Sequence, residues 1–472
     1  MRARTRRLRT TRIARLFLFL CLLPGSRGTR VAAQDTSART LSLAEALALA
    51  EASSPTYRQA DNDVSLNGVE MRATWLESLL PNADLTLFST GFTGNRTLRA
   101  TDDFGNPVER PESDWVYFSS TQQGLNLSWT LRGTSLFTTF RGQKLTNLGR
   151  VVARDRTLAT VRIAVRRRYM AALREQALMR AEQGFVEARR LDLEVAQRLF
   201  SLAMKTRVDV LNAELDVQQQ ELALRQQESA FERAKLALRT ELGDESLVSF
   251  DLQEVPLSVF DPGVLDGDRL VRTALEENPG LEESRIRVDA AQVGVSEARA
   301  SWWPVLQMGM NVSRTAQTRG RDALFDVSFD EGLESRFIIQ LAFPLFNDFF
   351  RNRQEDRRAS VALDNRMEED RAMRLRTRET VRSALLELSN QYRTLQLAER
   401  SAEIAAEALR LAREEYRIGT RTFAELRLSF DQDAATRRQV IQAQYDFVDA
   451  FLSLEEAVGV AVAVPGPDDE GR

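Results

Sequence analysis

Hydrophobic and polar positions alternate strictly in three stretches of the chain. In GLNLSWTL, Leu125, Leu127, Trp129 and Leu131 fall on one side and Asn126, Ser128 and Thr130 on the other. LQMGMNVS sets Leu306, Met308, Met310 and Val312 against Gln307, Gly309, Asn311 and Ser313, and FIIQLAF sets Phe337, Ile339, Leu341 and Phe343 against Ile338, Gln340 and Ala342. A fourth stretch, ADLTLFSTGF, alternates only from Ala83 to Leu87. Period two predicts strands with one apolar face, at about 83–92, 123–131, 305–314 and 336–344. Two arrangements satisfy the pattern: an antiparallel sheet on a soluble core, or a membrane β-barrel with its apolar face to lipid and its polar face to a wet lumen. Four strands are too few to close such a barrel, so the second arrangement requires several chains.

Elsewhere the pattern is helical. From Asn347 to Ala412 there is neither proline nor glycine, and Leu385, Leu388, Tyr392 and Leu395, then Ala402, Ala406 and Leu409 beyond an interruption at Glu399, follow a heptad frame. A helix of that length is a rod of about 100 Å. The matching stretch from Leu136 to Leu202 is as long, with Gly142, Gly149 and Gly184 expected to weaken it. These rods exceed what a soluble domain requires and suit a molecule that crosses a periplasm-sized gap.

The order of elements occurs twice. ALALAEASSPTYRQADNDV followed by MRATWLESLLPNADLTL resembles the stretch from Leu270 to Met310, Pro55 pairing with Pro279 and Pro81 with Pro304. LALRTELG ending at Gly243 matches LSLEEAVG ending at Gly459. We read a first repeat over 34–243 with a helical hairpin at about 136–243, a linker over 244–266, a second repeat over 267–459 with a hairpin at about 347–459, and a disordered tail over 460–472. Each hairpin must turn, at SLAMKTRVDVLNAEL (Ser201 to Leu215) and at EEYRIGTRTFAEL (Glu414 to Leu426).

Composition narrows the function. A basic start, the apolar LFLFLCLLP and a small-residue VAA ending at Ala33 read as a secretory signal peptide over 1–33. That segment holds nine arginines, no acid and the only cysteine, Cys21, leaving 56 basic against 68 acidic residues and a net charge of −12. An exported chain so acidic is not a nucleic-acid binder. With no histidine, Ser-His-Asp and Cys-His chemistry and histidine metal sites are excluded. We expect no enzyme, no cofactor and no metal.

With the duplicated order of elements, LAFPLFN after the last strand and GTRT at Gly419 to Thr422, the chain resembles the TolC family of outer membrane efflux proteins. The resemblance implies an α+β membrane protein: a homotrimer giving four strands per protomer to a twelve-stranded barrel in outer membrane lipid of a Gram-negative bacterium, continuous with a periplasmic coiled-coil cylinder. It implies a passive exit duct for an inner membrane transporter and a periplasmic adaptor. The family's periplasmic gate maps residue by residue to Asp209, Tyr416 and Arg421, and its acidic constriction to Glu425, with Leu428 at the position of a second acid and Val208 at that of a threonine. Adaptor contact would fall at Ala203, Lys205, Thr206, Gly419 and Thr420. LSWTLRGTS departs from the family's Pro-Leu-Phe turn. On the residues alone, Arg421 and Glu425 pair with each other four apart on one helix face, and Tyr416 packs under its turn. The alternative function is a periplasmic coiled-coil scaffold without its own pore.

Overall fold

The computed structural model describes residues 39–463 except 102–103, 245–246, 248–249, 324, 326–331 and 344. The segment read as a signal peptide, and the tail from residue 464, lie outside the described residues.

The order helix, helix, strand, strand, long helix, long helix occurs twice. The first set is α1 (Leu43–Ser53), α2 (Pro55–Leu79), β2 (Asn82–Thr101), β3 (Pro107–Arg132), α3 (Ser135–Ser201) and α4 (Arg207–Leu242). The second is α5 (Gly267–Glu277), α6 (Pro279–Ala300), β5 (Val305–Arg319), β6 (Leu333–Ala342), α7 (Asn347–Arg417) and α8 (Phe423–Val458). The stretch read as a linker is not featureless: it holds a 3-10 turn at Pro262–Val264 and strand β4 (Phe250–Leu252), which pairs with β1 (Arg39–Leu41). Tyr169 of α3 pins this small sheet with its hydroxyl, whose one proton is shared between the Leu41 and Gln253 carbonyls at 2.9 and 2.7 Å.

The two sets close in the same way. The C-terminal ends of α4 and α8 are capped by Gly243 and Gly459, at φ +67° and +89°. A Cβ at Gly243 would lie 2.8 Å from the Ser53 carbonyl, and one at Gly459 2.9 Å from Asn278 Nδ2. Each glycine therefore serves twice, adopting the left-handed cap and letting the long hairpin abut the junction between the two short helices.

α3 runs unbroken through its glycines. Gly142 and Gly149 face Val293 and Ile286 of α6, with 3.8 and 3.7 Å left to a Cβ, so their bareness serves close helix packing where propensity alone predicts weakness. The α7 seam is also unbroken at Glu399. Leu388, Leu395 and Leu409 are buried as expected, but the frame continues through Ala398, Ala405, Ala412 and Tyr416. Small alanines keep the helices close where leucines would hold them apart.

The four longer strands form one antiparallel sheet in the order β2-β3-β5-β6. Its register runs Leu127 to Met310 to Phe337 and Trp129 to Met308 to Ile339 on one face, and Ser128 to Gly309 and Thr130 to Gln307 to Gln340 on the other. The alternations read separately thus join into one apolar and one largely polar face. Three strands are longer than their alternation. β2 and β3 stay paired out to Thr101 and Pro107, well past the predicted ends at 92 and 123, and β5 reaches Arg319. Beyond the apolar band, threonine, serine and aromatic residues sustain pairing without a hydrophobic period. β2 and β6 each have one neighbour, so both outer edges of the sheet are open. Among the described residues no helix is long and apolar enough to cross a membrane.

Candidate functional site at the hairpin turns

The turns that end the two hairpins share one local design. In each, the incoming helix stops with a 6→1 hydrogen bond, Met204 N to Leu199 O at 2.9 Å and Thr420 N to Glu415 O at 3.0 Å. A left-handed residue sits at the same place, Ala203 at φ +57° and Gly419 at φ +85°. A threonine then caps the outgoing helix in a capping box. Thr206 N and Oγ1 donate to Asp209 at 2.9 Å, and Thr422 N and Oγ1 to Glu425 at 2.9 Å. Asp209 and Glu425 are therefore structural equivalents. The Thr422 bonds, with Arg421 nearby, hold the Glu425 carboxyl below its usual range.

Tyr416 lies in the last turn of α7, 1% exposed, among Ala412, Phe423 and Phe430. Phe423 meets its ring edge-on at 5.9 Å. Its hydroxyl has no hydrogen-bond partner among the described residues. Burial, then the charges of Asp209 and Asp192, push the phenol up to about 12. Arg421 precedes α8, so it and Glu425 do not share a helix face; its Nε pairs instead with Glu415 at 3.2 Å. Val208 and Leu428 are exposed, as are Ala203, Thr206, Gly419 and Thr420 at the free ends.

The side chain that joins the two turns is Lys205. Its Nζ donates to the Arg421 carbonyl at 3.0 Å and stands 4.3 Å over the Tyr416 ring. In the sequence it reads only as a surface contact. One signal was present: the chain has three lysines among 65 basic residues. Where arginine is the default, a lysine marks a place for a compact point charge. Asp209, Tyr416 and Arg421 are thus gathered at one place, but within this protomer each carboxylate bonds its own cap, and the link across the turns is made by lysine.

Helix contacts run α4 to α3 to α8 to α7, making α4 and α7 the flanks of the protomer. Both flanks carry exposed apolar residues seven apart: Val208, Leu215, Leu222 and Leu236 on α4, with Ser229 in the frame, and Leu397, Ile404, Leu411 and Ile418 along α7 and into its turn.

Residues 270–460, from α5 to just beyond α8, match the family model for outer membrane efflux proteins. No curated protein matches the sequence. Among solved structures, the chain superposes on a membrane protein from Pseudomonas aeruginosa with TM-score 0.68 and 18% identity, covering 90% of this chain and 91% of that one. The outer membrane protein VceC from Vibrio cholerae gives 0.66 at 15% identity, covering 89% and 96%. The open state of the Neisseria gonorrhoeae MtrE outer membrane channel gives 0.65 at 16%, covering 89% and 89%. Residues 270–460 thus carry an outer membrane efflux protein domain, and the chain as a whole has the fold of these solved outer membrane proteins. The family model reaches the second repeat and not the first. The first repeat nonetheless keeps the order of elements seen in the second. The solved structures that share this fold include outer membrane proteins of Gram-negative bacteria.

Proposed function

We propose that this chain is the exit duct of a tripartite efflux or secretion system, three copies forming a twelve-stranded barrel and a helical cylinder that passively conduct cargo from an inner membrane transporter and its periplasmic adaptor. The observation that carries the reading is the four-stranded sheet with one continuous apolar face and two open edges. Unpaired strand edges are not tolerated in hydrocarbon. Copies that pair β6 with the next β2 remove every edge, and head-to-tail contacts of this kind close into a ring. The flank heptads support the same closure. α7 descends to its turn and α4 rises from its own, so with the turns level Ile418 faces Val208 of the next copy, Leu411 faces Leu215, and Ile404 faces Leu222.

In this reading the turns at Ala203 to Asp209 and Gly419 to Glu425 are the gate, with Glu425 supplying one carboxylate per copy at the constriction and Leu428 none. Lys205 holds the turns together through a charge-assisted bond worth about 1.5–3 kcal/mol. An adaptor that binds the parted turns better shifts the balance by its difference in affinity. The duct performs no covalent step.

Planar-bilayer recording tests the channel and the gate together. The wild type is expected to show a small conductance that rises several-fold in Lys205→Met, which keeps the alkyl stem. Equal conductance in both would leave the channel and remove Lys205 from the gate. A folded trimer that never conducts would favour the scaffold.

A further inference from the structure

Seven residues above Asp209, about 10 Å along α4, four charged side chains meet where the hairpins touch. Arg189 comes from α3, Asp216 from α4, and Arg427 and Asp431 from α8. Two pairs cross between hairpins: Arg189 Nη2 to Asp431 at 2.5 Å and Arg427 Nε to Asp216 at 3.3 Å. The same four side chains make longer pairs inside each hairpin, Arg189 Nη1 to Asp216 at 3.4 Å and Arg427 Nε to Asp431 at 3.8 Å. Phe430 forms the floor, its ring centroid 3.6 Å from Arg189 Cζ. Arg189 and Asp216 are 6% and 4% exposed. Burial pushes the Asp216 carboxyl above its usual range and the Arg189 guanidinium below its own, as expected for charges taken out of water. Among the described residues Asp216 Oδ1 has no hydrogen bond and is paired with Arg427. Two further pairs flank the site across the same boundary, Arg413 with Asp192 at 3.4 Å and Arg438 with Glu182 at 2.5 Å.

We propose that Arg189, Asp216, Arg427 and Asp431 form a separable latch between the hairpins, distinct from the turns, whose two cross-hairpin pairs hold the closed state. The arrangement is divisible. A buried ion pair broken by losing one partner leaves an uncompensated charge, which is severely destabilising. Here, when the hairpins part, Arg189 leaves with Asp216 and Arg427 with Asp431, so each hairpin carries away a neutral pair. The same four groups can thus favour closure without making opening prohibitive. Their position sets which helices move: α8 against α3 and α4, with the α3–α4 hairpin kept whole.

The inference rests on the reading of the turns as a gate, and its test separates the two. Spin labels at Glu187→Cys on α3 and Gln432→Cys on α8, both exposed, with Cys21→Ser, report hairpin separation by pulsed EPR in the full-length protein whether or not it conducts. Arg427→Gln with Asp431→Asn leaves hairpin one neutral and removes both cross pairs. We expect its distances to lengthen and its conductance to rise several-fold. Asp216→Arg with Arg427→Asp keeps both cross attractions but leaves like charges together in each hairpin. We expect wild-type or shorter distances and lower conductance. Circular dichroism melting confirms that both variants fold, and the neutral variant stands on its own because Arg427 and Asp431 are partly exposed. Unchanged distances in the neutral variant, or lengthened ones in the swap, overturn the latch. Distances that respond while no variant conducts leave the latch and remove the channel. Conduction with distances unmoved does the reverse.

Discussion

At Tyr416 the local and the functional demands on one side chain separate. Its ring is met by Phe423 at the edge and Lys205 above, while its hydroxyl is buried without a partner among the described residues. A buried unpaired hydroxyl is a cost, of the order of 1–3 kcal/mol, so Tyr416→Phe is expected to leave a thermal melt unchanged or raise it, and to leave conductance low. Arg421→Ser removes only the partly exposed pair with Glu415, worth about 0–1 kcal/mol. The order of effect on conductance is therefore Lys205→Met, then Arg421→Ser, then Tyr416→Phe; a Phe variant that opens as widely as Lys205→Met would return the gate to the tyrosine hydroxyl. The phenol supplies a second check. Its raised pKa means that the closed turn's preference for the neutral form is complete below pH 10 and is lost as pH rises through about 12. The absorbance titration of wild type minus Tyr416→Phe should accordingly show a phenol titrating near 12 and not near 10. The sequence was legible here as far as location: the family resemblance assigned Asp209, Tyr416 and Arg421 to the same two turns. Their partners were not legible, because the capping boxes claim both carboxylates first and a lysine in the opposite turn, 216 residues from Arg421, leaves no periodic trace.

The elements show which constraints survive in a single sequence. Helix stops at Gly243 and Gly459, the proline starts of α2 and α6 and the core alternations were readable because each is written in residues a few positions apart. Strand ends were not, since Thr, Ser and Tyr continue to pair after the hydrophobic signal ceases. The turns provide a direct test of that local grammar. Ala203 and Gly419 occupy one conformation in two copies of one motif, but an L-residue with a Cβ pays about 1–2 kcal/mol there, less the entropy that glycine adds to the unfolded chain, about 0.4–1 kcal/mol. Ala203→Gly is expected to be neutral or stabilising by up to about 1 kcal/mol, and Gly419→Ala to destabilise by a similar amount. No atom lies within 4 Å of a Cβ built at Gly419, so backbone conformation and not crowding is what the second variant measures. Denaturant unfolding of the two variants should give shifts of opposite sign; a loss in both would mean that the turns are set by tertiary contact and not by the left-handed residue.

For the whole molecule the decisive feature is that both flanks, α4 and α7, carry exposed apolar residues seven apart. Exposed heptads are costly on a free-standing chain and expected on one that is half of an interface. Ile404 and Leu411 sit mid-stripe on α7, point away from the buried Leu395, Ala405 and Leu409 seam, and have no role in the protomer's own core. Ile404→Glu with Leu411→Glu should therefore leave helix content and the protomer's fold intact while abolishing assembly, because two carboxylates per seam would face the apolar Leu222 and Leu215 of the neighbour and be desolvated without partners. Mass measurement in detergent is expected to give a trimer for wild type and a monomer for this variant, and bilayer conductance to vanish with the trimer. Latch and gate variants should instead keep the trimer and change only what it conducts. Should the double glutamate variant remain trimeric, the α7 to α4 seam is not where the cylinder closes, and the sheet edges alone would have to account for assembly. The Arg189 latch would stand in either case, since all four of its residues belong to one chain.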